Sequence, residues 1–184
     1  MQRIIQKTTG IFSKFAAIGA SLSMAVLFLI VFVNSVRRYA IGKSFEWGEE
    51  LPIFITIYGV MFGMAWAYIL DRHIRFTMLV GFISESWTRK LYILVDLIMV
   101  VNGVLLAYSG WMFTLKRGGV EASGIINLAK TLRALTGWEG MIWFGHQYPY
   151  QAAMVLGGIM LAFAALLKFL MRLSEAPRPE PTGG

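Results

Sequence analysis

Residues 15–36 read FAAIGASLSMAVLFLIVFVNSV, a run without a single charged side chain. A helix needs roughly 20 predominantly apolar residues to cross about 30 Å of hydrocarbon, so this run is long enough to span a bilayer. The run is continuously apolar rather than alternating, and an isolated strand would leave backbone groups unpaired in lipid. We therefore predict a membrane-spanning helix over residues 15–36.

Three further apolar stretches of similar length follow along the chain. We predict spans at about residues 50–70, 91–115 and 149–170, with Asp96 as the one charge inside the third. The predicted fold class is an all-α integral membrane protein with four transmembrane helices plus interfacial amphipathic helices. Residues 15–172 form the transmembrane domain in this interpretation.

Composition excludes several functional classes. The chain has 184 residues, of which 57% are hydrophobic and 15% charged, and it contains no cysteine. Disulfides, thiolate metal sites and thiol nucleophiles are therefore excluded. The formal charge of +7 comes from Lys and Arg that flank the apolar runs. This placement is typical of contacts with membrane lipids, and we expect no nucleic acid partner.

The distribution of basic residues predicts the orientation in the membrane. With the N-terminus inside, ten Lys and Arg fall on the cytoplasmic side and seven on the other. We therefore predict a cytoplasmic N-terminal segment over residues 1–14 and a cytoplasmic tail over residues 173–184. We expect this tail to be disordered because it is polar and rich in Pro. The run after Lys14 is about 22 residues long without a clear cleavage site, so we expect a retained span rather than a signal peptide.

Two connections have the patterns of surface helices. Residues 74–90 mix apolar and basic side chains, and we expect them to lie along the membrane interface. The connection after the third span predicts an extracytoplasmic amphipathic helix over about residues 123–136, capped by Ser123 at its start and Gly137 at its end. Its apolar residues recur at helical spacing: Ile125, Leu128, Ala129, Leu132 and Leu135.

Few side chains are candidates for chemistry. His73 follows the second span and His146 precedes the fourth, so four alternating spans place them on opposite faces, where they cannot share a metal or haem. Glu46, Glu49 and Glu50 enter the second span, where the helix dipole favours carboxylates. They are accompanied by no nucleophile or ligand set, so we expect no catalytic residue, no metal site, no bound cofactor and no enzyme.

Asp96 is the one buried charge that the sequence singles out. A carboxylate in hydrocarbon is costly, which suggests either a helix-packing or partner-contact role or an ion or proton relay. We favour the packing role, because Asp96 lies only about 9 Å along the helix from Lys90. Small residues at Gly59, Gly63 and Ala67 are further candidates for helix packing.

Short motifs give the chain a family resemblance. Arg38-Tyr39 follows the first span, FEWGEEL at residues 45–51 opens the second, and His73-Ile74-Arg75 follows it. Together with Gly63 and Ala65, the chain length and Tyr148-Pro149 before the last span, this order resembles the small membrane subunit of tripartite ATP-independent periplasmic (TRAP) transporters. The resemblance covers residues 15–172, and its motifs lie mainly within residues 37–76.

The resemblance implies a bacterial inner-membrane protein with two partners. One is a large membrane subunit that holds the substrate and sodium sites, so sodium ions are expected there and not in this chain. The other is a periplasmic substrate-binding protein for small organic acids. The resemblance implies interface or structural roles for these residues: Arg38, Tyr39, Trp47, Glu49, Glu50, His73 and Arg75. We add Asp96 to them because its carboxylate lies inside the third span.

Two features depart from the family pattern, and two rival functions stay open. Phe76-Thr77 stands where a small apolar residue and an acid are expected, and the connection over residues 116–147 is long, which suggests an added docking surface for the soluble partner. The main rival function is a stand-alone oligomeric transporter or channel that uses Asp96 and Asn102. A membrane enzyme or cytochrome subunit is the other.

Overall fold

A computed structural model of the chain describes residues 2–71 and 84–174. Within these ranges the chain is mainly helical, and the predicted all-α fold with four spanning helices is confirmed. The four described helices that are long and apolar enough to cross a membrane are α1, α2, α3 and α5. The elements are α1 (Gln2–Ile41), α2 (Trp47–Ile69), α3 (Glu85–Arg117), α4 (Ile126–Thr136), a 3-10 helix (Glu139–Gly145) and α5 (Tyr148–Ser174).

Helices α1, α3 and α5 extend at both ends beyond the predicted apolar runs, and α2 begins before its predicted run. α1 continues without a break from Gln2, so the N-terminal segment belongs to the same helix as the first span. It ends where Gly42 adopts a φ of 73° and donates its N–H to the carbonyl of Arg38 at 3.0 Å. The predicted interfacial stretch over residues 74–90 lies mostly outside the described residues, and the tail is described only to Ser174.

Helix α5 lies at the centre of the bundle. It packs against α1, α2 and α3, and it is the most buried of the four spanning helices. Its contact with α3 is close because small residues face each other. A Cβ on Gly158 would come within 2.3 Å of the Ala107 nitrogen, and one on Gly103 within 2.5 Å of the Ala162 nitrogen. In lipid such tight packing is a main source of helix association.

The predicted packing face of α2 is only partly used. Gly59 is buried against α1, where its Cβ position lies 3.2 Å from the Cβ of Ser23. A Cβ on Gly63 would meet no described atom outside its own helix within 4 Å, so the described part of the chain makes no close helix contact there, and the packing role of Gly63 stays a prediction. Ala67 is half-buried. Three small residues on one face do not specify which of them a neighbouring helix will approach.

Candidate functional site

Charged side chains from three helices meet at one end of the bundle. The spans alternate in direction, so the end of α2, the start of α3 and the end of α5 lie on the same side, together with the start of α1. We call the residues that meet there the charge cluster: Tyr68, Asp71, Asp96, Lys168 and Arg172.

Arg172 bridges the two carboxylates of this cluster. Its Nη1 donates to Asp96 Oδ2 at 2.7 Å, and its Nη2 donates to Asp71 Oδ1 at 3.1 Å. The other oxygen of each carboxylate is also used, since Tyr68 donates its hydroxyl to Asp96 Oδ1 at 2.6 Å and Lys168 donates to Asp71 Oδ2. Asp96 is only 1% exposed. The cluster thus sets two acids against two bases, and its formal charges cancel.

Backbone geometry and further contacts fix these side chains in place. Asp71 follows α2 in a left-handed conformation, with a φ of 56°, which Asp tolerates better than most residues. The Arg172 guanidinium lies 4.7 Å from the Tyr92 ring centroid and donates to the Tyr92 carbonyl at 3.0 Å. Arg89 donates in turn to the Arg172 carbonyl at 3.0 Å. The cluster therefore ties the end of α5 to both α2 and α3.

These contacts join the helices, and the carboxylates of Asp71 and Asp96 both accept hydrogen bonds from within the chain. The Asp96 side chain contacts other helices of this chain, as a helix-packing role requires. The sequence pattern does not predict the roles of Asp71, Lys168 and Arg172, because these residues stand at the ends of apolar runs, where charges mark the boundaries of a span. Alternation of the spans was the signal that could have found them, since Asp96 and Lys168 each lie a few residues inside the same end.

At the other end of the bundle, residues 118–147 fold into a compact unit that we call the cap. It contains α4 and the 3-10 helix, and it begins and ends beside the start of α5, where Tyr148 donates its N–H to the Gly118 carbonyl at 3.1 Å. Two carboxylates at the start of α2 hold it. Glu50 accepts the Gly124 N–H at 2.7 Å, and Glu46 accepts from Asn127 Nδ2 at 2.8 Å.

The cap helix differs from its prediction at one end. α4 begins at Ile126 and its start has no side-chain cap, so the capping role predicted for Ser123 is wrong. Its end agrees with the prediction, since Gly137 adopts a left-handed φ of 69° and donates to the Arg133 carbonyl. Ile126 and Ala129 are buried against Gly145 of the 3-10 helix, whereas Leu132 and Leu135 of the predicted apolar face are exposed.

The predicted interface residues occupy different environments. Arg38 and Glu49 are exposed, and Tyr39 is 91% exposed. Trp47 is half-buried and its ring stacks on Phe45, with 4.8 Å between the centroids. Glu50 serves the cap, as described above. His73 and Arg75 lie outside the described residues, as does the departure at Phe76-Thr77.

A second polar contact, missed by the sequence analysis, fixes the turn between α1 and α2. Asn34 accepts the Phe45 N–H at 2.8 Å and donates to the Gly48 carbonyl at 3.2 Å. The Arg37 guanidinium lies 3.7 Å from the Phe45 ring centroid. The turn therefore presents Arg38 and Tyr39 at the same end of the bundle as the cap.

Comparison with known protein families shows to which family this chain belongs. Residues 27–175 match the family described as tripartite ATP-independent periplasmic transporters, DctQ component. The chain belongs to the DctQ family. DctQ proteins are the small membrane component of TRAP transporters, so the resemblance in the motifs is confirmed. The matched range contains the whole cap and the charge cluster, and comparison with curated proteins gave no match.

Proposed function

We propose that this DctQ chain is the non-catalytic small membrane subunit of a TRAP-type secondary transporter. It steadies a large membrane subunit, which holds the substrate and sodium sites, and it helps dock a periplasmic substrate-binding protein during uptake of small organic acids. The family match over residues 27–175 carries this proposal. No cofactor, metal or sodium ion is assigned to this chain.

The contacts of Asp96 support a scaffolding role over the rival channel. A relay or pore needs a carboxylate that exchanges ions or protons with a pathway. Here both Asp96 oxygens accept hydrogen bonds within the chain, from Tyr68 and Arg172, and the side chain is 1% exposed. An Asp96→Asn variant of the assembled transporter should therefore keep its sodium dependence, whereas the channel hypothesis requires loss of transport.

The proposed orientation in the membrane gives each end of the bundle a role. With both termini in the cytoplasm of a bacterial inner-membrane protein, the charge cluster faces inward and the cap faces the periplasm. Arg38, Tyr39 and Glu49 are exposed on the cap side, where a soluble binding protein approaches. The cap and these residues together form the proposed docking surface.

Reconstitution tests this function directly. Liposomes that contain this chain alone should show no sodium-driven uptake of any carboxylate. Liposomes with the large membrane subunit and the loaded binding protein should take up substrate only when this chain is also present. A heat-treated preparation of the chain serves as the control for added protein. Sodium-driven uptake by this chain alone would overturn the proposal.

A further inference from the structure

Among residues 2–71 and 84–174, helix α3 packs against the rest of the bundle through one of its faces. Gly103 and Gly110 lie against α5, and Asp96 and Thr114 are buried on the same side. The opposite side is a long exposed apolar surface. Its exposed residues on one line are Val95, Ile98, Asn102, Leu105, Ser109 and Met112, which we call the α3 stripe.

Asn102 places an amide near the middle of the membrane on this stripe. It lies 12 residues after Lys90 and 14 before Lys116, or about 18 Å and 21 Å along the helix axis. Half the hydrocarbon thickness is about 15 Å, so the amide lies at mid-depth. Its Nδ2 donates to the Ile98 carbonyl at 2.9 Å, and within the described residues the amide makes no other hydrogen bond.

Hydrocarbon chains cannot donate a hydrogen bond to the amide oxygen of Asn102. Lipid tails carry no donor or acceptor, and a polar group left unpaired in an apolar medium costs free energy. Asn side chains in membrane helices commonly bond across to a neighbouring helix. Asn102 is an exposed residue whose amide oxygen has no hydrogen bond within the described residues, which favours a protein helix over lipid as the occupant of the α3 stripe.

The spacing of the stripe fits such a helix. Its members recur in steps of three and four residues, which is the pattern that faces a partner in helix pairs. Ser109 is small enough for close approach, while Ile98 and Leu105 supply side chains that fill gaps. This repeat is independent of the amide and points to the same kind of occupant.

We propose that the α3 stripe packs against a membrane-spanning helix of the large TRAP subunit that offers a hydrogen-bonding group to Asn102. This inference rests on the proposed function, and it adds the surface and the chemistry of the contact. A second copy of this chain fits less well. The next position of the stripe is Lys116, which is exposed, and a parallel copy would bring two Lys116 ammonium groups together.

Photo-crosslinking from two matched positions tests the surface. Leu105 lies on the stripe and is 56% exposed, whereas Val104 is 55% exposed and lies about 100° further around the helix. A photoreactive amino acid at position 105 should crosslink to the large subunit in membranes that contain the whole transporter. The same group at position 104 should give no such product. Crosslinks from 105 to a second copy, or crosslinks to the large subunit from 104 only, would overturn the proposal.

Affinity measurements test the amide. Asn102→Leu should weaken binding of the purified large subunit about threefold, the size of a typical hydrogen bond between membrane helices. Val104→Leu, on the uncovered side, should leave the affinity unchanged. Equal affinity for Asn102→Leu and the wild type would refute the role of the amide. Failure of the wild-type chain to bind the large subunit would instead refute the proposed function, so the two failures are distinguishable.

Discussion

Replacing Asp96 and Arg172 together should lower the stability of the fold by less than the sum of the two single losses. Asp96→Leu removes the carboxylate that accepts from Tyr68 and Arg172, and it leaves the two bases of the charge cluster facing the single acid Asp71. Breaking a buried ion pair by removing one partner costs about 3–5 kcal/mol. Arg172 keeps Asp71 and the Tyr92 carbonyl, so we expect the low end of that range, about 3 kcal/mol.

Replacing Arg172 should lower the free energy of unfolding more than replacing Asp96. Arg172→Leu leaves the carboxylate of Asp96, which is 1% exposed, with Tyr68 as its remaining hydrogen-bond donor from the cluster. We expect a loss of about 4–5 kcal/mol. The double variant leaves Asp71 paired with Lys168, so acids and bases again balance. Its loss should lie close to that of the worse single variant, which corresponds to a coupling free energy of about 2–3 kcal/mol.

Equilibrium unfolding gives the loss of stability of each of the three variants. The free energy of unfolding in mixed detergent micelles can be followed by tryptophan fluorescence, with Asp96→Asn as a variant that removes the charge but retains an acceptor for Tyr68. Losses in the double variant that equal the sum of the single losses within about 0.5 kcal/mol would refute the reasoning, because independent sites add in that way. Such a result would mean that Asp96 and Arg172 contribute separately.

Three other variants probe the α3–α5 contact, the cap and the docking surface. Gly103→Ala places a Cβ 2.5 Å from the α5 backbone and should lower stability by about 1–3 kcal/mol in the same assay, whereas Gly63→Ala, which meets no described atom outside its own helix within 4 Å, should be neutral or stabilising. Glu50→Ala removes the acceptor of the Gly124 N–H, so amide exchange should accelerate in the cap and stay unchanged around the charge cluster; uniform acceleration would show that Glu50 supports the whole fold. Tyr39→Ala should weaken capture of the binding protein without reducing co-purification of the large subunit, since its side chain is 91% exposed; loss of both would assign Tyr39 to the membrane interface instead.

The spans were predictable because the cost of an unpaired backbone in lipid leaves a continuous apolar run little choice but a helix. Asp96 was also recognisable, since one carboxylate inside such a run stands out. Its partners were not. Lys168 and Arg172 lie where an apolar run gives way to charge, and composition alone does not show whether a basic residue reaches outward to water or inward to a carboxylate.

The contacts between helices and the start of the cap helix were likewise not predictable from the sequence. Gly63 and Gly103 both lie in apolar helices, yet only Gly103 meets a neighbouring backbone, because the contact depends on which faces the other helices leave available. The amphipathic spacing predicted α4 and its glycine end. Its start shifted to Ile126, because the preceding Gly124 is held by Glu50 and stays outside the helix. Long-range contacts of this kind are not encoded in local spacing.

The distribution of polar contacts argues for a scaffolding role. Ion pairs hold α2, α3 and α5 at one end, and carboxylates hold the cap at the other, so both ends of the bundle are fixed by groups within the chain. Asn102 differs from these groups, because its amide lies at mid-depth on an exposed face. A subunit whose two ends are held by internal contacts, and whose Asn102 amide oxygen has no hydrogen bond within the described residues, is suited to the proposed role of bracing another membrane protein, since binding there completes a hydrogen bond that lipid cannot supply.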